Sequence, residues 1–211
     1  RDGSGLQRLA KGTAGQVLQM NSGATAPEYA TAEGGTHIKI ATLSHSSNTT
    51  SVLFSNCFTS TYDIYKVYFT DFYASANNNE LGLALRNSSN ADVATIWTNA
   101  NWNKVATGGN AAGNNVFTQD SDSRVRFMSE NVDTIAGQPC NLEMTVYNPY
   151  ADDVSTSIGY KYLLRGSSNY YFHVTGMATC QSYTSIRSLN FFLNGGNSFA
   201  GYKATIYGVK R

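Results

Sequence analysis

The chain has 211 residues, of which 41% are hydrophobic and only 14% charged, with a formal net charge of +1 from 15 basic and 14 acidic residues. That is enough apolar material for one large β domain or two small ones, and it excludes a disordered chain. The near-zero charge excludes an electrostatic footprint for DNA or RNA. No apolar run approaches the ~20 residues of a membrane-spanning helix, so neither nucleic acid nor membrane insertion is expected.

The first informative stretch runs from Leu6 to Tyr29, LQRLAKGTAGQVLQMNSGATAPEY. Its glycines (Gly12, Gly15, Gly23) and small residues leave it no core of its own. It nevertheless carries Leu6, Leu9, Val17, Leu18 and Met20. Apolar side chains without a core need a partner, and copies of the same chain are the simplest one; these five are the expected oligomerisation residues. The pattern Lys11-Gly12-Thr13-Ala14-Gly15-Gln16-Val17-Leu18, then Asn21-Ser22-Gly23-Ala24-Thr25-Ala26-Pro27-Glu28-Tyr29, resembles the "GTAGQVL…NSGGTAPEW" segment of tail fibres and other fibrous proteins of tailed bacteriophages. Tyr29 stands where that family often has Trp. The resemblance covers about twenty of the 211 residues and implies a virion protein without naming a receptor. The chain opens Arg-Asp-Gly-Ser-Gly, with no signal-peptide h-region, and the missing initiator Met leads us to expect a longer protein before Arg1.

Ala30 to Thr36 reads as a hinge around two adjacent glycines. It divides a stalk and oligomerisation segment, 1–33, from a head domain, 37–211. His37 to Leu43 alternates as a strand, and Val52 to Phe58 is a second. Tyr62 to Tyr73 has aromatic or β-branched residues at both parities, which predicts a central strand packed on both faces. Leu81, Leu83 and Leu85 alternate up to Arg86. Val93 to Trp97 is a further strand. Asn99 to Asn115 is the longest stretch expected to be irregular.

Val116–Phe117, Ser123 to Ser129, Asn141 to Tyr147, Ser157 to Leu164, Tyr170 to Met177, Ser188 to Leu193 and Tyr202 to Val209 complete ten to twelve strands. Asn/Gly/Ser turns separate them. No segment sustains a 3.6-residue apolar period; the nearest helical candidate, Gln7 to Met20, is weakened by two internal glycines. The expected fold is an all-β, jelly-roll-like antiparallel β-sandwich preceded by a short extended stalk segment. Phe58 to Phe69, the LxLxLR strand Leu81 to Arg86 and the closing Phe199 to Arg211 also resemble, in that order, phage structural proteins with a C-terminal sandwich.

Residues that could carry chemistry are sparse. His37, His45 and His173 are scattered without zinc spacing, and His173 between Phe172 and Val174 reads as structural. No GxSxG elbow occurs. Asp120 and Asp122 lack the Gly and distal Glu of an EF-hand loop and read as turn acids. Cys57, Cys140 and Cys180 are an odd number without CxxC spacing; one disulfide remains open, but buried reduced thiols are the better reading. No enzyme, metal or cofactor is expected. A glycan depolymerase, which two carboxylates on different strands could support, is the least supported reading.

Binding is the better-founded expectation. Fourteen tyrosines and two tryptophans suit contact with sugar or protein surfaces. Trp97, Asn99, Asn101, Trp102, Asn103, Tyr170 and Tyr171 form the expected patch, its asparagines offering both donor and acceptor to hydroxyls. The expected protein is therefore a homotrimeric tail-fibre tip, assembled in the host cytoplasm. It resides in the virion with other phage proteins and contacts a host surface glycan or protein. The alternative is a capsid fibre or decoration protein.

Overall fold

The computed structural model describes residues 9–31, 36–76, 80–93, 96–106, 111–127, 132, 140–166, 170–181 and 184–210, with side chains at 31, 100, 102–106, 111–121, 166 and 170 excepted. No helix occurs among them. The chain divides into two units, Arg1–Thr36 and His37–Arg211.

The first unit is a hairpin. Strands β1 (Gln16–Met20) and β2 (Pro27–Thr31) pair antiparallel, Leu18 opposite Tyr29. Gly15 enters β1 at φ 86, a left-handed conformation glycine takes at no steric cost. At the far end Asn21 builds the turn. Its Oδ1 accepts from the Thr25 amide at 2.9 Å, while its own amide donates to the Ala26 carbonyl at 2.9 Å. Such side-chain turns are what Asn does best. The Tyr29 ring lies over Gly12, where a Cβ would come within 2.7 Å of it. Over the described residues 9–20 the helical alternative therefore gives way to a turn and a strand, and the extended segment doubles back on itself. Leu9, Val17, Leu18, Met20 and Tyr29 all remain exposed; Leu6 lies outside the described residues.

Among the described residues the second unit holds twelve strands: β3 (His37–His45), β4 (Ser51–Phe54), β5 (Ile64–Ala74), β6 (Glu80–Arg86), β7 (Ile96–Ala106), β8 (Ala111–Asp122), β9 (Val125–Arg126), β10 (Cys140–Tyr147), β11 (Thr156–Gly166), β12 (Tyr170–Cys180), β13 (Ser188–Asn194) and β14 (Phe199–Val209). They form an eight-stranded sheet, β3-β14-β5-β10-β11-β12-β7-β8, and a four-stranded sheet, β4-β13-β6-β9. Eight of the strands make the framework. Counted one to eight along the chain, without the β7–β8 and β11–β12 hairpins, they run 1-8-3-6 in the large sheet and 2-7-4-5 in the small one. That is the double Greek key of a jelly roll. The two extra hairpins add four strands beyond β10 and widen only the large sheet.

The core is aromatic and joins the sheets. Phe69 of β5 stacks on Phe72 at 4.4 Å and on Phe191 of β13 at 4.7 Å, with Phe199 edge-on at 5.4 Å. Tyr160 and Tyr162 of β11 meet Phe127. Burial drives the Tyr160 and Tyr162 hydroxyls to higher pKa, and pushes the Cys57 thiol up to about 12. All three cysteines are buried thiols.

Several expected elements change. Tyr62 to Tyr73 is not covered on both faces. Tyr65, Val67 and Phe69 are buried, whereas Tyr68 on the other face is 36% exposed. The alternation then breaks at Asp71, which sits at φ 55 opposite a register shift. This bulge returns Phe72 to the core. Burial on both sides is found instead in β6, where Gly82 leaves room for the Phe192 ring, and in β13 from Ser188 to Phe191. The Val52 to Phe58 strand stops at Phe54 before Asn56 at φ 49. Of the Val93 to Trp97 strand, Val93 lies outside any strand and Ile96 and Trp97 open β7; 94–95 lie outside the described residues.

Among the described residues of Asn99 to Asn115 the chain is not irregular: 99–106 belong to β7 and 111–115 to β8, which pair antiparallel. Polar residues of low strand propensity are tolerated there because β7 is held by the ladder of β12 along its whole length.

Candidate binding face

A strand with one face on the core turns alternate residues outward. Five neighbouring strands of the large sheet do so in register, producing rows across its outer surface. One row reads Tyr68, Glu143, Lys161, Thr175, Asn101; the next Lys66, Thr145, Gly159, Met177, Asn99; the third Ile64, Tyr147, Ser157, Thr179, Trp97. Each row crosses four strand spacings, about 19 Å.

Gly159 lowers the middle of the second row, since no atom lies within 4 Å of where its Cβ would be. Shallow depressions flank it. One, of about 260 Å³, lies among Lys66, Glu143, Thr145 and Lys161. A second, of about 420 Å³, lies among Asn99, Asn101, Thr175 and Met177. A third, of about 230 Å³, brings together Tyr68, Asn141, Leu163 and His173. Lys66 Nζ donates to Thr145 Oγ1 at 2.7 Å and lies 3.9 Å from Glu143 Oε1, which holds one wall in place. Most of the exposed large apolar side chains of this unit lie on the same face: Tyr68, Trp97, Tyr147, Leu163, Tyr171 and Met177, the last 64% exposed. Apolar side chains spaced among asparagines, threonines and a few charges make an adhesive surface rather than an enclosed pocket.

The expected patch is partly gathered here. Asn99 and Asn101 line one depression, and Trp97, 41% exposed, lies one row away. Trp102 and Asn103 are the register partners of Val174 and His173, and Tyr170 that of Ala106; their side chains lie outside the described residues. Tyr171 is exposed but far from Trp97. It pairs with Val105, whereas Trp97 pairs with Thr179, eight residues along β12, or about 27 Å. The two ends of the expected patch are separate because β7 and β12 run antiparallel.

His173, expected to be structural, is exposed and lines a depression. Met177, Tyr68 and Leu163 escaped the sequence reading. At Tyr162 to Leu164 both parities are apolar, so alternation could not say which of them face outward. Of the acid pair expected to be turn acids, Asp122 lies 3.5 Å from Arg124 Nε and 3.9 Å from Arg126 Nε; the Asp120 side chain lies outside the described residues. Among the described residues no group of three His, Cys, Asp or Glu could hold a metal ion. His45 accepts a hydrogen bond from the Ser47 amide at Nδ1, 2.9 Å, which leaves the proton of its neutral form on Nε2.

No family model, curated protein or solved structure matches this chain.

Proposed function

We propose that this chain is a structural protein of a tailed-bacteriophage virion, acting as the receptor-binding tip of a tail fibre. The observation that carries the reading is the hairpin at 16–31. The residues that resemble the fibre segment occupy its two turns and the Gly12–Tyr29 contact, so the resemblance lies in residues that make structure. The hairpin leaves its large apolar side chains exposed, and a two-stranded sheet is marginal alone in water. Three copies side by side would bury those side chains and form a homotrimer. The jelly-roll head would then present three outer faces to the host surface. Its mechanism is non-covalent: weak contacts with glycan or protein, multiplied over three heads and several fibres, give avidity without one tight site.

The test is to locate the protein in the virion with gold-labelled antibody, and to ask whether the purified chain blocks adsorption. Label at the fibre tip with competition for adsorption is expected. Label on the capsid shell would transfer the architecture to a decoration role, and absence from the virion would overturn the reading.

A further inference from the structure

The chain is close to charge balance, with 15 basic and 14 acidic residues, but the charges are unevenly placed. The seven adjacent strands β3, β14, β5, β10, β11, β12 and β7 contain six lysines or arginines and only two acids, Glu143 and Asp71. Four of the lysines stand on the outer face of the large sheet. Lys66 and Lys161 lie in the rows described above. Lys39 pairs with Tyr207 and Tyr207 with Lys66, so the Lys66 row continues over β14 and β3. Lys203 pairs with Thr70, one row beyond Tyr68.

Lys39, Lys161 and Lys203 are exposed, and none has an ion pair or a side-chain hydrogen bond among the described residues. Lys66 is held by Thr145 and stands 3.9 Å from Glu143. Asp71 is exposed in the β5 bulge, beside Thr70. Four lysines against two acids leave the face positive, while the remaining acids of the chain lie off these strands. A surface of one sign draws ligands of the other.

The spacing narrows the ligand. Lys39 and Lys66 are two strand spacings apart, about 10 Å, and Lys66 and Lys161 about 12 Å along the diagonal. Duplex nucleic acid carries a charge about every 1.7 Å, far denser than these lysines. Lysine is also a flexible point charge, without the fork by which arginine grips one phosphate at two points. Between the lysines stand rings and hydroxyls. Tyr207 fills the place between Lys39 and Lys66, and Tyr68 meets its ring edge-on at 6.0 Å. In the next row Thr42 and Thr205 share a hydrogen bond at 3.2 Å. Such a surface matches a chain of sugars that carries negative charge at intervals and offers C–H faces and hydroxyls between.

We infer, resting on the reading of this face as the host-contacting surface, that it takes a carboxylated polysaccharide whose acidic sugars are separated by neutral ones. The polysaccharide lies across the strands from β3 towards β11. Its carboxylates meet Lys39, Lys66 and Lys161, and the sugars between them rest against Tyr207 and Tyr68.

The test is calorimetry and NMR on the full chain with partly methyl-esterified oligogalacturonate, alongside neutral dextran, polyphosphate and duplex DNA. The oligogalacturonate should bind at about 20 mM salt and be released at about 500 mM, and dextran should not bind. Lys66→Gln and Lys161→Gln should each weaken binding about two- to fivefold, and together with Lys39→Gln about tenfold or more. Glu143→Gln should tighten it, because the acid among the lysines is removed. Lys11→Gln, the same change of net charge at an exposed lysine of the hairpin unit, should leave it untouched. No binding of the oligogalacturonate, equal binding of dextran, tighter binding of polyphosphate or DNA, or an equal loss in Lys11→Gln would overturn the inference. If the chain blocks adsorption yet ignores the oligogalacturonate, this ligand is wrong and the fibre-tip reading stands. If it binds the oligogalacturonate but the label lies on the capsid shell, the ligand stands and the fibre-tip reading fails.

Discussion

The double substitution Val17→Ser with Leu18→Ser probes the assembly reading where it is most exposed. These side chains are 45% and 59% exposed in the single chain, so about half of each remains to be buried by a partner. Full burial of Val or Leu contributes about 1.5–3 kcal/mol, so each contributes about 0.7–1.8 kcal/mol on assembly. Six such side chains in a trimer sum to roughly 4–11 kcal/mol, or at least a thousandfold in the trimer association constant. The head should be indifferent, because its buried core cluster begins at Val52 and ends at Ile206. Light scattering across a concentration series, with calorimetry on the same samples, separates the two effects. The wild-type chain should be a trimer at micromolar concentration, and the variant should dissociate with the head transition unmoved. A monomeric wild type would refute the reasoning outright. A lowered head transition would show that the hairpin belongs to the head's core.

Phe69→Ala should cost about 3–5 kcal/mol, since Phe69 is fully buried against Phe72, Phe191 and Phe199; urea unfolding measures it, and a loss below 1 kcal/mol would contradict the packing. Ala24 sits at φ 51 in the hairpin turn, the place where the fibre segment it resembles carries glycine. Ala24→Gly should therefore stabilise the hairpin by about 1 kcal/mol, read as slower amide exchange in Gln16–Met20. The Cys57 thiol has an ordinary pKa of 9.0 and is raised to about 12 in the folded chain. Its stabilising effect is complete below pH 9 and is lost as pH rises towards 12, because the unfolded chain releases the proton first. Thermal melts from pH 8 to 11 should show Tm falling with pH, and Cys57→Ala should flatten that fall.

Sequence alone reached the all-β class, a head of ten to twelve strands and the inward positions of clean alternation such as Leu81, Leu83 and Leu85. It did so because a period of two is a local property of a strand. It also singled out the 6–29 segment, in which Gly15, Asn21 and Gly23 have definite places in two turns and Gly12 lies under the Tyr29 ring. Tertiary structure decided the rest. Which strands are covered on both faces depends on what lies above them, as the Phe192 ring lies over Gly82. Whether the Asn-rich stretch becomes a hairpin depends on the ladder that β12 offers to β7. Tyr171 and Trp97 share a sheet face but not a site, because antiparallel pairing over eleven residues places them at opposite ends. On the small sheet, a pit around Asn190 and Phe192 draws Arg86 and Asp92 from a second stretch of the chain and Arg124 from a third. Pairing between segments distant in sequence leaves no mark on either segment alone, which is why alternation revealed the strands and only the folded sheets revealed their sites.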